Sequence, residues 1–287
     1  MSGFAGLRDY VQAFDDGQVK YSTWRKAPSQ ATTAGVWFDL SMSPGNPVPN
    51  YYASSPAIAA TLNGGEGIFH GGAVSPKTKR VKSTTVITPS AAAAPMRLIL
   101  CDYLLYYPFL DMGTNDDQPL TNSVTLPRYT DGDGVKVLAV MTNPQVTGSA
   151  TFNFDYTNQD GVSKTSGTSI CNTATAIGSL INTATTRAGA QNLSPFVPLN
   201  NGDTGVRSIE TFRMVSGSDV GLICLVLVKP LASTYTREIT APNETDYLMD
   251  GVSLPIVQDG AYLNFIAYPN GSLAGTALHG DATFVWS

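Results

Sequence analysis

Charge is scarce in this sequence. Charged residues occupy 14% of its 287 positions, against about 25% in an ordinary soluble domain. The 17 Lys and Arg against 22 Asp and Glu leave a formal charge of −5. No overall positive field exists to draw nucleic acid or an anionic membrane surface. Long apolar runs are missing too. The longest candidate, Gly221 to Val228, falls far short of the roughly 18 residues a membrane span needs. The start, Met1-Ser2-Gly3-Phe4, has neither the basic opening nor the apolar stretch of a secretory signal. These absences predict a soluble chain made in a cytoplasm, with no membrane partner.

Histidine and cysteine are equally sparse. His70 and His279 are the only histidines, and no GxSxG or HExxH pattern accompanies them. An odd set of three cysteines, Cys101, Cys171 and Cys224, without CxxC spacing argues against a disulfide framework and a zinc site. Cys101 and Cys224 lie inside apolar runs, where a thiol behaves as a small hydrophobe. Three reduced structural thiols are expected. Cys171 sits in a Ser/Thr-rich stretch with no base nearby.

The remaining motifs are incomplete. Gly64-Gly65-Glu66-Gly67 lacks the lysine of a phosphate loop and carries a carboxylate instead. Asp131-Gly132-Asp133-Gly134 opens like a calcium loop but runs straight into Val135-Lys136-Val137-Leu138, a strand start, so it reads as a turn. A weak cation site at a subunit junction is the alternative. Glu66, Glu210, Glu238 and Glu244 show no pairing of the kind glycoside hydrolysis needs. The expectation is a non-enzymatic protein with no catalytic residue, no cofactor and no metal.

What is abundant is threonine, with 31 residues, a β-branched type that suits pleated strands. Hydrophobic residues at 43% are ample for a core. From residue 96 onward, strand-like runs alternate with turn signals. The runs are Arg97 to Leu110, Val135 to Met141, Ala150 to Tyr156, Ser208 to Val215, Val220 to Val228, Ala261 to Tyr268 and Ala282 to Trp286. The separators include Asp160-Gly161, Asn201-Gly202, Asp250-Gly251, Asp259-Gly260 and Asn270-Gly271, all turn formers. The pattern predicts a mainly β protein, an antiparallel β-sandwich of jelly-roll type over 96–287. Thr173 to Thr185 is the one helical candidate in this part.

Residues 1–95 read differently. Phe4, Leu7, Val11 and Phe14 recur at helical spacing, with Ser2 placed as N-cap and Gly17 as stop. After that short helix, prolines and glycines crowd the chain from Pro28 to Gly72, which predicts an extended arm lying on its own body or on neighbouring subunits. Lys77, Lys79, Arg80 and Lys82 form the one charge cluster. It reads as a solvated loop, or as a contact with an acidic face of a neighbour, rather than as a nucleic-acid site, because no aromatic platform is interleaved. Tyr51-Tyr52, Tyr103, Tyr106-Tyr107 and Phe109 read as core or interface, with a sugar platform as the competing use.

Several blocks carry a resemblance. They are Asn46 to Pro56, Gly67-Ile68-Phe69-His70-Gly71, Asp102 to Phe109, Val124 to Gly132, Gly202 to Ser208, Asp259 to Phe265 and Phe284-Val285-Trp286. Together they resemble a family of virion structural proteins of tailed bacteriophages and span nearly the whole chain. The resemblance implies a virion protein assembled in the bacterial cytoplasm, with no catalytic residue to carry over. Its expected place is on the capsid as a decoration or cement protein, a homotrimer bound to the major capsid protein. The alternative is a head–tail or tail component, including a sugar-binding module. Contacts with partners are expected at Phe4, Leu7, Val11, Phe14, Tyr51, Tyr52, Phe69, Lys77, Lys79, Arg80 and Lys82.

Overall fold

A computed structural model describes residues 4–144, 150–171, 176–182, 194–216, 220–250 and 254–287. One α-helix, α1 (Leu7–Asp15), precedes the strands. The early strands are β1 (Val19–Lys26), β2 (Phe38–Asp39), β3 (Gly45–Asn46), β4 (Ala60–Thr61), β5 (Lys79–Ile87) and β6 (Met96–Asp111). Then come β7 (Gln118–Pro119), β8 (Lys136–Asn143), β9 (Thr151–Asn158), β10 (Ser163–Thr165), β11 (Ser169–Ile170) and β12 (Val206–Ser216). The chain closes with β13 (Leu222–Thr236), β14 (Asn243–Asp246), β15 (Ile256–Val257), β16 (Tyr262–Tyr268) and β17 (Leu278–Trp286).

These strands form three antiparallel sheets. The first runs β14-β5-β17-β1-β3, with β15 also on β5. The middle one runs β2-β16-β6-β13-β8, with β4 also on β6. The third runs β10-β9-β12-β7, with β11 also on β9. The expected mainly-β sandwich is therefore present, built as two sandwiches that share the long middle sheet. Leu98 and Leu100 of β6 face the first sheet, in one core with Trp24, Val81, Phe265 and Phe284. Further along β6, Leu105 and Tyr107 share a second core with Phe152, Phe154, Ile209 and Phe212 of the third sheet. A bulge joins the two halves, since Leu105 pairs with Leu227 while Tyr103 pairs with Val228, leaving Leu104 extra. Without that extra residue, the change from even to odd numbering would send the second half of β6 to the wrong face.

Local sequence explains the body well. In β9, Thr151-Phe152-Asn153-Phe154-Asp155-Tyr156 buries each aromatic and leaves each polar partner half-exposed, as strand alternation demands. The strand β13 continues past the expected end at Val228 and includes Pro230. Its neighbour β8 stops pairing at Val228, and a register shift follows Pro230. There a missing N–H breaks no ladder.

Two expectations are corrected. Residues 18–95 were expected to hold little regular structure, yet β1 and β5 flank the C-terminal β17 over its whole length. Strand pairing thus crosses residue 95. The prolines and glycines gather between β1 and β5, not within them, and the pairing partners lie about 200 residues away for β5 and about 260 for β1, beyond local pattern. The segment between those two strands is mostly irregular, as expected, and is pinned to the body, for example by Ile68 N–H to the Leu263 carbonyl (2.8 Å) and Ala59 N–H to the Thr121 carbonyl (2.9 Å). The helical candidate Thr173 to Thr185 falls partly outside the described residues, and its described part is not helical. Ser179 bridges Phe38 and Leu180 bridges Val140. Ala176, Leu180 and Ile181 enter three different cores, so a shared helical face was never their role.

Candidate interaction surface

The helix α1 ends as its sequence predicts. Gly17 takes φ 70°, its N–H bonds the Phe14 carbonyl (3.0 Å), and Gln18 N–H bonds the Ala13 carbonyl (2.7 Å), the paired closure that a left-handed glycine permits. Ser2 lies outside the described residues, and Gly6 stands at the N-cap with no side-chain bond. The helix packs on β17 and buries only Ala13 fully. Phe4, Tyr10 and Phe14 are half-buried and touch in series, edge-to-face and then tilted, with centroids 5.3 Å and 5.1 Å apart. Leu7 and Val11 point away and are 72% and 50% exposed.

Beside α1 runs an open apolar groove of about 510 Å³ lined by Phe4, Leu7, Tyr10, Leu248, Met249 and Leu254, with Arg80 at its edge. Met249 is 80% exposed, and Arg80 donates to the Leu254 carbonyl (2.9 Å). Leu7, Leu248 and Met249 leave apolar surface around the groove in water, with Val11 exposed one turn further along α1, the kind of surface that marks an interaction site. Phe4, Leu7 and Arg80, all expected contacts, meet here. Leu248, Met249 and Leu254 were not foreseen. Their signal was the apolar pair Leu248-Met249 in an otherwise polar turn.

The charge cluster does not form one patch. Lys77 is exposed, but Lys79 to Lys82 belong to β5, not to a loop, and alternation separates them. Lys79 turns inward and is fully buried. Its ammonium donates to His70 Nδ1 (2.9 Å), the Gly72 carbonyl (2.8 Å) and Asp259 (3.4 Å), so all three of its protons are used. Lys82 pairs outward with Asp246 at 2.9 Å. The expected contact role of Lys79 is therefore corrected by its burial. So is that of Tyr52, which is fully buried and donates to Asp39 (2.5 Å). Tyr51 stays exposed, beside Phe109 in a separate 220 Å³ cleft. Phe69 is exposed under the Lys20 ammonium, 5.0 Å from its ring centre. It lies away from the α1 groove lining.

Among the described residues, the buried charged side chains gather in three centres. Asp39 accepts from Tyr52 Oη, Tyr103 Oη (2.7 Å), Ser41 N–H (2.8 Å) and Ser41 Oγ (2.7 Å). Burial raises its pKa, and the Tyr103, Tyr52 and Ser41 donors oppose that rise. Nearby, Lys26 is buried and donates to the carbonyls of Ser43 (3.1 Å) and Pro47 (2.8 Å). Burial lowers its pKa to about 8, with Asp39 opposing. Asp102 is clamped by Arg128 through Nε (2.8 Å) and Nη2 (2.7 Å) and also accepts from Tyr262 N–H (3.0 Å). In the third centre, His70 Nε2 donates to the Ala261 carbonyl (3.1 Å) while Nδ1 accepts from Lys79. Burial, and then the Lys79 charge, hold its pKa down at about 4. Lys26 and Lys79 act as internal staples: each fastens a loop of the 28–76 segment to a strand. None of these groups lines the groove by α1. Among the described residues no three His, Cys, Asp or Glu are grouped to hold a metal, and no helix is long and apolar enough to cross a membrane.

No family model matches the chain, and no curated protein matches it. Among solved structures it is similar to infectious bursal disease virus Gt strain at 10% identity, over 93% of this chain and 80% of that one, with a TM-score of 0.17. It is also similar to the VP2 subviral particle of infectious bursal disease virus, at 9% identity over 94% and 80%, again with a TM-score of 0.17.

Proposed function

We propose that this protein is a non-enzymatic structural component of a tailed-phage virion, a decoration or cement protein that binds the major capsid protein and copies of itself. Two things support the reading: the resemblance of its sequence blocks to virion structural proteins, and the exposed apolar rim of α1 with Leu248 and Met249. The rim carries the argument. A folded monomer seldom leaves Leu and Met side chains this exposed around a groove unless another surface covers them. Closed three-fold symmetry would cover the rim on every copy at once.

The test is self-association and particle binding of the double variant Leu7→Asp, Val11→Asp. Both side chains are exposed, so the melting temperature should stay within a few degrees of wild type. Wild type should scatter light as a trimer and bind shells in step with the major capsid subunit. The variant should be monomeric and bind weakly. A wild type that is monomeric in solution and on particles would remove the assembly reading. Copy number far below that of the shell subunit would move the protein to the neck or tail.

A further inference from the structure

The outer face of the middle sheet is covered along most of its length. Ile99, Cys101 and Tyr103 of β6 share a core with Trp37, Tyr52 and Leu62. At the end of the sheet that cover stops. Here Arg97 of β6 stands directly between Tyr268 of β16 and Tyr235 of β13, each its registered cross-strand partner. Trp37, next to β2, extends the row, with its ring 5.2 Å from that of Tyr268. The row opens into a groove of about 520 Å³ bounded by Pro95, Pro269 and Asn270, within the size range of small-ligand sites.

Three properties narrow what could lie there. The first is spacing. Tyr235 is 47% exposed and Tyr268 half-buried, and two strand spacings separate them by about 10 Å, roughly the length of two pyranose rings. The second is the amphipathic character of tyrosine: a ring face takes the apolar C–H side of a sugar, and the hydroxyl meets its polar edge. The third is the cation. The Arg97 guanidinium lies 6.0 Å from the Trp37 ring centre and 5.9 Å from that of Tyr235, and it has no carboxylate within ion-pair distance among the described residues. Cation–π attraction from the two rings draws the guanidinium to this end of the sheet, and with no carboxylate paired to it, its N–H fork can meet a ligand anion. A phosphate polymer would want several cations along the path, and this groove has one.

We propose that the groove is a binding site for an acidic saccharide, with sugar rings on Tyr235 and Tyr268 and a carboxylate on Arg97. This stands apart from the assembly reading, because neither the α1 rim nor self-association enters it. The test is calorimetric titration of the full-length protein with oligogalacturonate and sialyllactose, beside uncharged malto-oligosaccharide and a single-stranded DNA oligonucleotide. Wild type should bind at least one acidic sugar. Arg97→Ala should weaken that binding about tenfold or more, since the charge-assisted fork is lost, and Tyr235→Ala should weaken it similarly. Arg97→Lys should restore only part of it. Both wild-type residues are exposed, and unchanged melting temperatures will show that the variants are folded. No acidic-sugar binding, equal binding of the uncharged sugar, preference for the oligonucleotide, or binding indifferent to both alanine substitutions would each overturn the proposal.

Discussion

Lowering the pH should loosen this protein through one side chain, His70. Its imidazole sits between a fixed acceptor, the Ala261 carbonyl, and a fixed donor, the Lys79 ammonium. Burial away from water disfavours the charged ring, and a proton on Nδ1 would also set it against the Lys79 cation, so the folded pKa falls from 6.5 to about 4. Below pH 6.5 the unfolded chain binds a proton that the folded chain refuses. The stabilisation is therefore fully present above pH 6.5 and is lost as pH falls towards 4. The loss amounts to about 2 kcal/mol by pH 5 and about 3 kcal/mol by pH 4. Asp259, the nearest carboxylate, has a pKa held below 3.8 by Val74 and Ser75 N–H groups and by Lys79, against burial, so its own loss begins at lower pH. The assay is urea unfolding from pH 5 to 8 for wild type and His70→Gln, whose amide can donate and accept but does not titrate. The wild-type stability should fall about 2 kcal/mol more than the variant's across that range. Parallel profiles would refute the assignment of His70 as a buried neutral acceptor.

Other perturbations have equally definite outcomes. Arg128→Ala leaves the buried Asp102 carboxylate with one backbone donor and should cost about 3–5 kcal/mol in urea unfolding, whereas a loss under 1 kcal/mol would mean water replaces the guanidinium. Gly280→Ala should destabilise sharply, because an added Cβ would stand 1.7 Å from the Thr85 carbonyl oxygen across the β5–β17 pair; a melting temperature equal to wild type would show that the two strands part easily. All three cysteines are buried and none is bridged to another, and burial raises the pKa of Cys101 and Cys224 well above the usual range. A thiol reagent should label none in the folded protein and three after denaturation, and fast labelling of any one would contradict the packing.

Much of the fold was written in local pattern. Alternation in β9, the apolar run of β6 and β13, and the Asp-Gly turns need only neighbouring residues to be read, because strand pleat and turn geometry repeat over two to four positions. The helix end at Gly17 is equally local. The groove at α1 was half legible: Phe4 and Leu7 announced an apolar helix face, but Leu248 and Met249 joined it from across the chain. Tertiary structure decided the rest. Lys79 reads as one of four clustered cations until β5 pairs with β17 and turns it inward onto His70. Tyr52 reads like Tyr51 until Asp39 draws it into the core. Arg97, Tyr235 and Tyr268 are unremarkable in sequence and become a row only because antiparallel register sets three strands side by side. Composition and short-range periodicity determine which segments become strands. Which strands meet, and therefore which side chains share a site, depends on pairings hundreds of residues apart and on the cores that make only one set of pairings fit.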